Sequence, residues 1–523
     1  MNIHWIDIAI VVVYIGATIL AGTLARSAIK GISDFLVAGR QLKTNMAVAT
    51  MVSTGLGLVT VMYFAQEGFK NGFAPFLIGV MAMVTTMIIG RTGFIVSRLR
   101  HLQVMTVPEF YEIKFSRGVR LLGGLILALA GILNMGLFPI MGSRFVVGFT
   151  GMDPAYVNTV MIIMVAIVVF YTLMGGMVSV VLTDFAQFLL LSLGFLFGIY
   201  FILDHPHLGW TNIVNAIETH KGAKGFDPVL NPDFGWVFII YFLSVGLMSI
   251  IWQPEMSRPL STESPRVARR IFWISSATTV GRAVVPMFFG AAAFAFINSP
   301  HYTGLYANHP EQDMFAMPEM LSQVLPIGIA GLLMAGMFAA FMSTHDSYLL
   351  AWSGVIVRDV ISPIKAMRAG SAGEKQEDGT WGGLSSAEEI FWTRVLVVIL
   401  AIFLVVFGMY YEMPETAFKF MYITGTIYFA GAVGTIALGL YWKKANKVGA
   451  YCALILGASA PINFLVMSSF PEHVPQFLAP LVESSTWPGL LSLILGGGGM
   501  IVGSLLTQKS HPPRQLDFAD MEH

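Results

Sequence analysis

Apolar residues run along this chain in blocks of roughly 20, with short polar interruptions, instead of alternating at the periods of half-buried elements. A helix of about 20 residues crosses roughly 30 Å of hydrocarbon. The pattern predicts thirteen spans, at 6–25, 45–66, 74–97, 121–147, 155–174, 180–203, 235–253, 271–297, 321–357, 392–411, 418–441, 447–468 and 487–507. The ninth is too long for one crossing, so it is expected to bend at Pro326 or to contain an extramembrane turn.

Composition agrees with the pattern. Of 523 residues, 56% are hydrophobic and only 11% charged, more apolar surface than a soluble chain of this size could hide. Backbone groups in lipid must pair internally, and blocks of this length suit helices better than barrel strands. The expected fold class is an all-α polytopic membrane protein. A net charge of zero gives no basic patch for nucleic acid, and the single Cys452 excludes an intrachain disulfide. No soluble stretch is large enough for an enzyme domain. The first apolar run has no Lys or Arg before it, which predicts an uncleaved helix rather than a signal peptide.

Basic residues concentrate in alternate loops. Segments 26–43, 98–120, 258–270, 358–394, 443–447 and 509–514 hold 23 Lys and Arg; the opposite loops hold only Lys70, Lys221 and Lys224. The positive-inside rule then places the protein in a cell membrane with its N-terminus outside and its C-terminus in the cytoplasm. Arg282 fits neither group, lying 12 residues, about 18 Å of helix, beyond Arg270.

Two stretches carry candidate chemistry. In 336–350, Ala340, Ser343, Thr344 and Ser347 share one helix face, bordered by Asp346. In the second span, Ser53-Thr-Gly-Leu-Gly57 is a poor continuous helix, because two glycines each cost about 1 kcal/mol in a helix interior. It reads either as an unwound midpoint whose carbonyls ligate a cation or as a glycine seam for close packing.

Four motifs in order resemble the sodium/solute symporter family: 34–42 (DFLVAGRQL), 175–187 (GGMVSVVLTDFAQ), 339–344 (AAFMST) and 439–449 (GLYWKKANKVG). The resemblance covers nearly the whole chain. It implies a LeuT-type five-plus-five inverted repeat, with 1–44 an extra helix and loop, 45–203 the first repeat, 204–234 an outer loop, 235–441 the second repeat, and 442–523 two further helices and a tail. It implies sodium as the coupling ion and symport of a small organic solute across the bilayer, with no protein partner indicated. By position, Ser53 and Leu56 carbonyls, the Ala340 carbonyl and the Ser343 and Thr344 hydroxyls would form the main sodium site. A second site of some relatives maps to Asp184, Ser343, Asp346 and Ser347.

The chain departs from that pattern at Gly55, where several relatives carry Asp or Asn, and at His345-Asp346. Asp346 could bind a second sodium, relay a proton or pair with Arg282, and His345 reads more simply as a packed residue. Thr60, Asn134, Trp252, Arg282 and Tyr422 are chosen as substrate-cavity residues for their polarity within core spans. Proton coupling, and a solute sensor that does not transport, remain the rival functions.

Overall fold

The computed structural model describes residues 4–25, 36–299, 302, 304, 309, 312–368, 383–412, 416–476, 482 and 484–518. Its principal helices begin with α1 (Trp5–Ala25), α2 (Thr44–Gly55), α3 (Leu58–Asn71), α4 (Phe76–Thr92), α5 (Arg117–Met135) and α6 (Phe138–Thr150). There follow α7 (Val157–Asp204), α8 (Gly209–Lys221), α9 (Gly235–Met248), α10 (Gln253–Leu260) and α11 (Pro265–Ile297). The last are α12 (Gln312–Val324), α13 (Ile329–Val355), α14 (Ser386–Tyr410), α15 (Ala417–Ala432), α16 (Lys447–Ser469) and α17 (Thr486–Leu506). No strand is present among the described residues, only an isolated bridge between Leu42 and Thr262.

Two helices break in mid-course. Between α2 and α3 the axis turns by 51°, with Gly57 extended at φ −73°, ψ 157°. Between α9 and α10 it also turns by 51°. There a 3-10 turn at Ser249–Ile251 runs into extended Trp252, and Pro254, which has no N–H to offer, sits in the first turn of the new helix. The sequence reading ended its seventh span at 253 and left 254–260 in a loop. The structure corrects this: α10 is helical and its Arg258 is buried.

Glycines decide which helices touch. A Cβ on Gly68 would lie 1.9 Å from the Met287 carbonyl oxygen, and one on Gly290 would lie 1.9 Å from that of Ala65. A Cβ on Gly90 would fall 2.3 Å from the Trp273 nitrogen. These approaches join α3, α4 and α11 backbone to backbone, as small residues do between membrane helices. Helix α7 is helical throughout its 48 residues, yet it is not a straight rod. Met164 lies beside Phe341 at Gly142, and Leu191 lies against Gly336. Twenty-seven residues of straight helix would span about 40 Å, whereas Gly336 and Phe341 are about 7.5 Å apart along α13. Helix α7 is therefore bent between Met164 and Leu191.

Seven described helices are long and apolar enough to cross a membrane, or ten when each bent pair counts as one crossing. Three shorter apolar helices lie at Trp5–Thr18, Phe76–Thr92 and Pro154–Phe170. The predicted fourth span is two helices, α5 and α6, meeting at Gly136-Leu137. In the ninth, the chain turns between α12 and α13 through Pro326, with Gly328 at φ +87°. The Asp7 carboxylate of α1 accepts from Gly328 N (2.7 Å) and Gly331 N (2.8 Å), capping the start of α13.

Arg120 and Arg358, which the sequence reading assigned to loops, are also buried. Arg358 donates to Glu389 (2.7 Å) and Glu109 (3.0 Å), and Arg120 donates to Asp359 (2.7 Å) and Glu112 (2.9 Å). A charge leaves water only with partners of this kind.

Candidate functional site

The break between α2 and α3 faces the hydroxyl-bearing side of α13. At the end of α2, Leu56 N–H donates to Val52 O (3.1 Å) and Ser53 O (3.0 Å), and Val61 N closes onto Gly57 O (3.1 Å). Among the described residues, the Thr54, Gly55 and Leu56 carbonyls then receive no backbone N–H, the ordinary result of ending a helix. Ser53, Leu56, Ala340, Ser343 and Thr344 are all buried. Thr344 reaches the break itself: a Cβ on Gly57 would lie 2.2 Å from its hydroxyl oxygen. That hydroxyl is buried and, among the described residues, has no hydrogen-bond partner. Uncompensated carbonyls opposite a free hydroxyl are the neutral oxygen donors that a hard monovalent cation accepts.

The second proposed set is arranged differently. Asp184 lies on α7, with its side chain outside the described residues. Ser343, Asp346 and Ser347 are fully buried on α13. Ser347 donates to the Asp346 carboxylate (3.2 Å) and accepts from the Arg258 guanidinium (2.7 Å). The suggested pairing of Asp346 with Arg282 does not occur; the acid beside Arg282 is Glu255, at 3.9 Å. Glu255 projects from the first turn of α10 towards the cavity that Arg282 also lines, whereas Asp346 is turned towards Ser347. His345 stacks on Phe341 with ring centroids 3.8 Å apart, and its Nδ1 meets the Phe341 carbonyl at 2.8 Å.

A cavity of about 190 Å³ lies between the two broken helices, α11, α13 and α15. Thr60, Asn134, Trp252, Arg282 and Tyr422 all line it. Asn134 is held in place, its amide donating to Met421 O (2.8 Å) and Thr424 Oγ1 (3.0 Å). The Trp252 indole donates to the Tyr348 hydroxyl (3.2 Å). Thr344 reaches the same cavity, so the proposed ion ligands and the cavity share a wall.

Sequence reasoning missed Glu255, Tyr63, Tyr348, Thr54 and Ser275, which also line the cavity. Gln253-Pro-Glu-Met-Ser-Arg258 looked like a polar loop. The inverted repeat that the resemblance implies offered the missing signal: a break in the first helix of one repeat leads one to expect a break in its counterpart. Gly55 is explained by the same cavity, because a Cβ there would fall 2.1 Å from Arg282 Nη1.

A family model described as "Sodium:solute symporter family" matches residues 35–457. The sodium/sialic acid symporter SiaT of Proteus mirabilis is 23% identical over the whole of this chain and 99% of that protein. The sodium/proline symporter of Escherichia coli is 24% identical over 98% of this chain and 95% of that protein. Among solved structures, the substrate-bound outward-open state of a Na+-coupled sialic acid symporter superposes with a TM-score of 0.76 at 19% identity. The superposition covers 98% of this chain and 99% of that one.

Proposed function

The chain belongs to the sodium:solute symporter family, and from that premise we propose that it imports a small organic solute with sodium by alternating access. The observation that carries this reading is the unpartnered Thr344 hydroxyl at the Gly57 break, on the wall of the central cavity. Sodium held by Ser53, Leu56, Ala340, Ser343 and Thr344 would fix α13 against the broken helix and complete the cavity. Two breaks of equal 51° bend support repeats at 45–203 and 235–441. The distribution of basic residues supports thirteen crossings, with the N-terminus outside and the C-terminus cytoplasmic.

Energetically, one charge crossing 100 mV yields about 2.3 kcal/mol and a tenfold sodium gradient about 1.4 kcal/mol. Together they sustain roughly 500-fold accumulation of a neutral solute per sodium.

Solute flux into proteoliposomes under an imposed sodium gradient tests the reading. Uptake that ignores sodium and follows a pH gradient would replace it with proton coupling through Asp346 or His345. Binding without flux would make the protein a sensor.

A further inference from the structure

We propose that the solute is a zwitterion, with an amine and a carboxylate close enough together to engage Glu255 and Arg282 at once. The proposal rests on the symport reading above and names the substrate class of the same cavity.

Both charged groups belong to the cavity wall, Glu255 from the first turn of α10 and Arg282 from the middle of α11. Their one contact is 3.9 Å, and each side chain keeps 29% of its surface exposed. A closed guanidinium–carboxylate pair sits at 2.7–2.9 Å, usually through two parallel bonds. Among the described residues neither group makes a hydrogen bond to anything else. A guanidinium has five donors and a carboxylate about four acceptor positions, so most of this capacity faces the cavity unused. Gly55 is what admits the arginine, since any side chain there would collide with it.

The pair selects by charge. An anion paired with Arg282 would leave Glu255 with Arg258 as its remaining counter-charge, and a cation at Glu255 would take the acid away from Arg282. A partly exposed charge that loses its partner penalises either ligand, though less than a fully buried one would. An uncharged polyol can hydrogen-bond to both groups but brings no opposite charge to either, so its bonds are weaker than those between opposite charges. A zwitterion replaces the long contact within the pair with two charge-assisted bonds of opposite sense. Three further cavity hydroxyls, on Thr54, Ser275 and Thr344, are buried without partners and offer the remaining hydrogen bonds. Tyr63, Trp252 and Tyr422 supply an aromatic wall for the apolar remainder of the solute.

The test uses the full-length protein in detergent with saturating sodium. Thermal stabilisation is measured with a set of α-amino acids and, for each, its decarboxylated amine, its deaminated acid and an uncharged polyol of similar size. At least one amino acid should stabilise the protein and bind 100-fold or more tightly than its amine and its acid. Glu255→Gln should cut the preference for that amino acid over its deaminated acid at least tenfold. Arg282→Gln should do the same for the preference over the amine. If either variant folds poorly, Glu255→Asp and Arg282→Lys keep the charge and should retain the preference at lower affinity.

An acid, amine or polyol that binds as well as any amino acid overturns the proposal, as does a panel in which no amino acid binds. Sodium-driven uptake of a solute that is not zwitterionic would end this inference and leave the symport reading standing. An amino acid that binds and is carried without regard to sodium does the reverse.

Discussion

Gly55 and Arg282 occupy one site between them: the guanidinium Nη1 lies 2.1 Å from where a Gly55 Cβ would stand. The absent side chain at the break of one helix is thus the seat of a charged group from another. Gly55→Ala should push Arg282 out of its seat while leaving α2 intact, because alanine favours helix over glycine. Apparent solute affinity should fall tenfold or more, about 1.4 kcal/mol, with apparent sodium affinity changed far less. Uptake kinetics over a grid of solute and sodium concentrations separate the two.

Thr344→Val removes a hydroxyl that is buried and unpartnered, and keeps the side-chain shape. Burying an unsatisfied hydroxyl costs about 1–3 kcal/mol, so without sodium the variant should melt no lower than the parent, or slightly higher. Stabilisation by added sodium should be lost. Gly57→Ala, whose Cβ would meet the same hydroxyl at 2.2 Å, should weaken sodium binding by a different route. Sodium-dependent melting curves read both. A Thr344→Val protein that still responds fully to sodium would exclude Thr344 as a ligand.

Arg358 stands between Glu109 and Glu389, at 3.0 and 2.7 Å. Arg358→Met leaves both acids buried without their counter-charge, and removing one partner of such a pair costs about 3–5 kcal/mol. Arg358 lies about 21 Å along the helix from Thr344, counting 14 residues at about 1.5 Å each. Protein that survives should therefore melt much lower in detergent but keep its sodium affinity.

Glycines in this fold divide by their neighbours. Gly290→Ala drives a Cβ to within 1.9 Å of a backbone carbonyl in α3, and overpacking of this kind costs about 1–3 kcal/mol or more. Gly497→Ala on α17 meets nothing within 4 Å and should stabilise by up to about 1 kcal/mol. Opposite shifts in melting temperature are the expected result.

The helices were legible because lipid leaves an apolar backbone no partner outside its own segment. The break at Gly55-Leu-Gly57 was legible as one of two readings, the other a packing seam, because two glycines and two hydroxyl residues stand where an apolar helix would be continuous. Thr60, Asn134, Trp252, Arg282 and Tyr422 reached one cavity because polarity inside an apolar span is itself a local signal. Glu255 gave no such signal. Its eight-residue helix is polar and persists through distant partners, with Gln253 accepting from Val107 N (2.8 Å) and donating to Met105 O (3.1 Å). Arg120, Arg258 and Arg358 were misread as loop residues for the same reason, since Arg120 donates to Asp359, Arg358 to Glu109 and Arg258 to Ser347, each on a distant element. Helix α7 shows a third kind of limit, because the expected spans 155–174 and 180–203 are joined in one helix, Val157–Asp204.

Asp7 accepts from Gly328, 321 residues further along the chain, and so caps the start of α13. A ribosome making this chain therefore delivers the cap first and its recipient hundreds of residues later. Until α13 emerges, the Asp7 carboxylate has none of the amide partners it will hold in the finished bundle. Once it does, α1 and the helix that carries Ser343 and Thr344 are joined through Asp7. A tag or truncation at α1 therefore acts at the start of α13, and completion of biogenesis is registered on the helix that bears those hydroxyls.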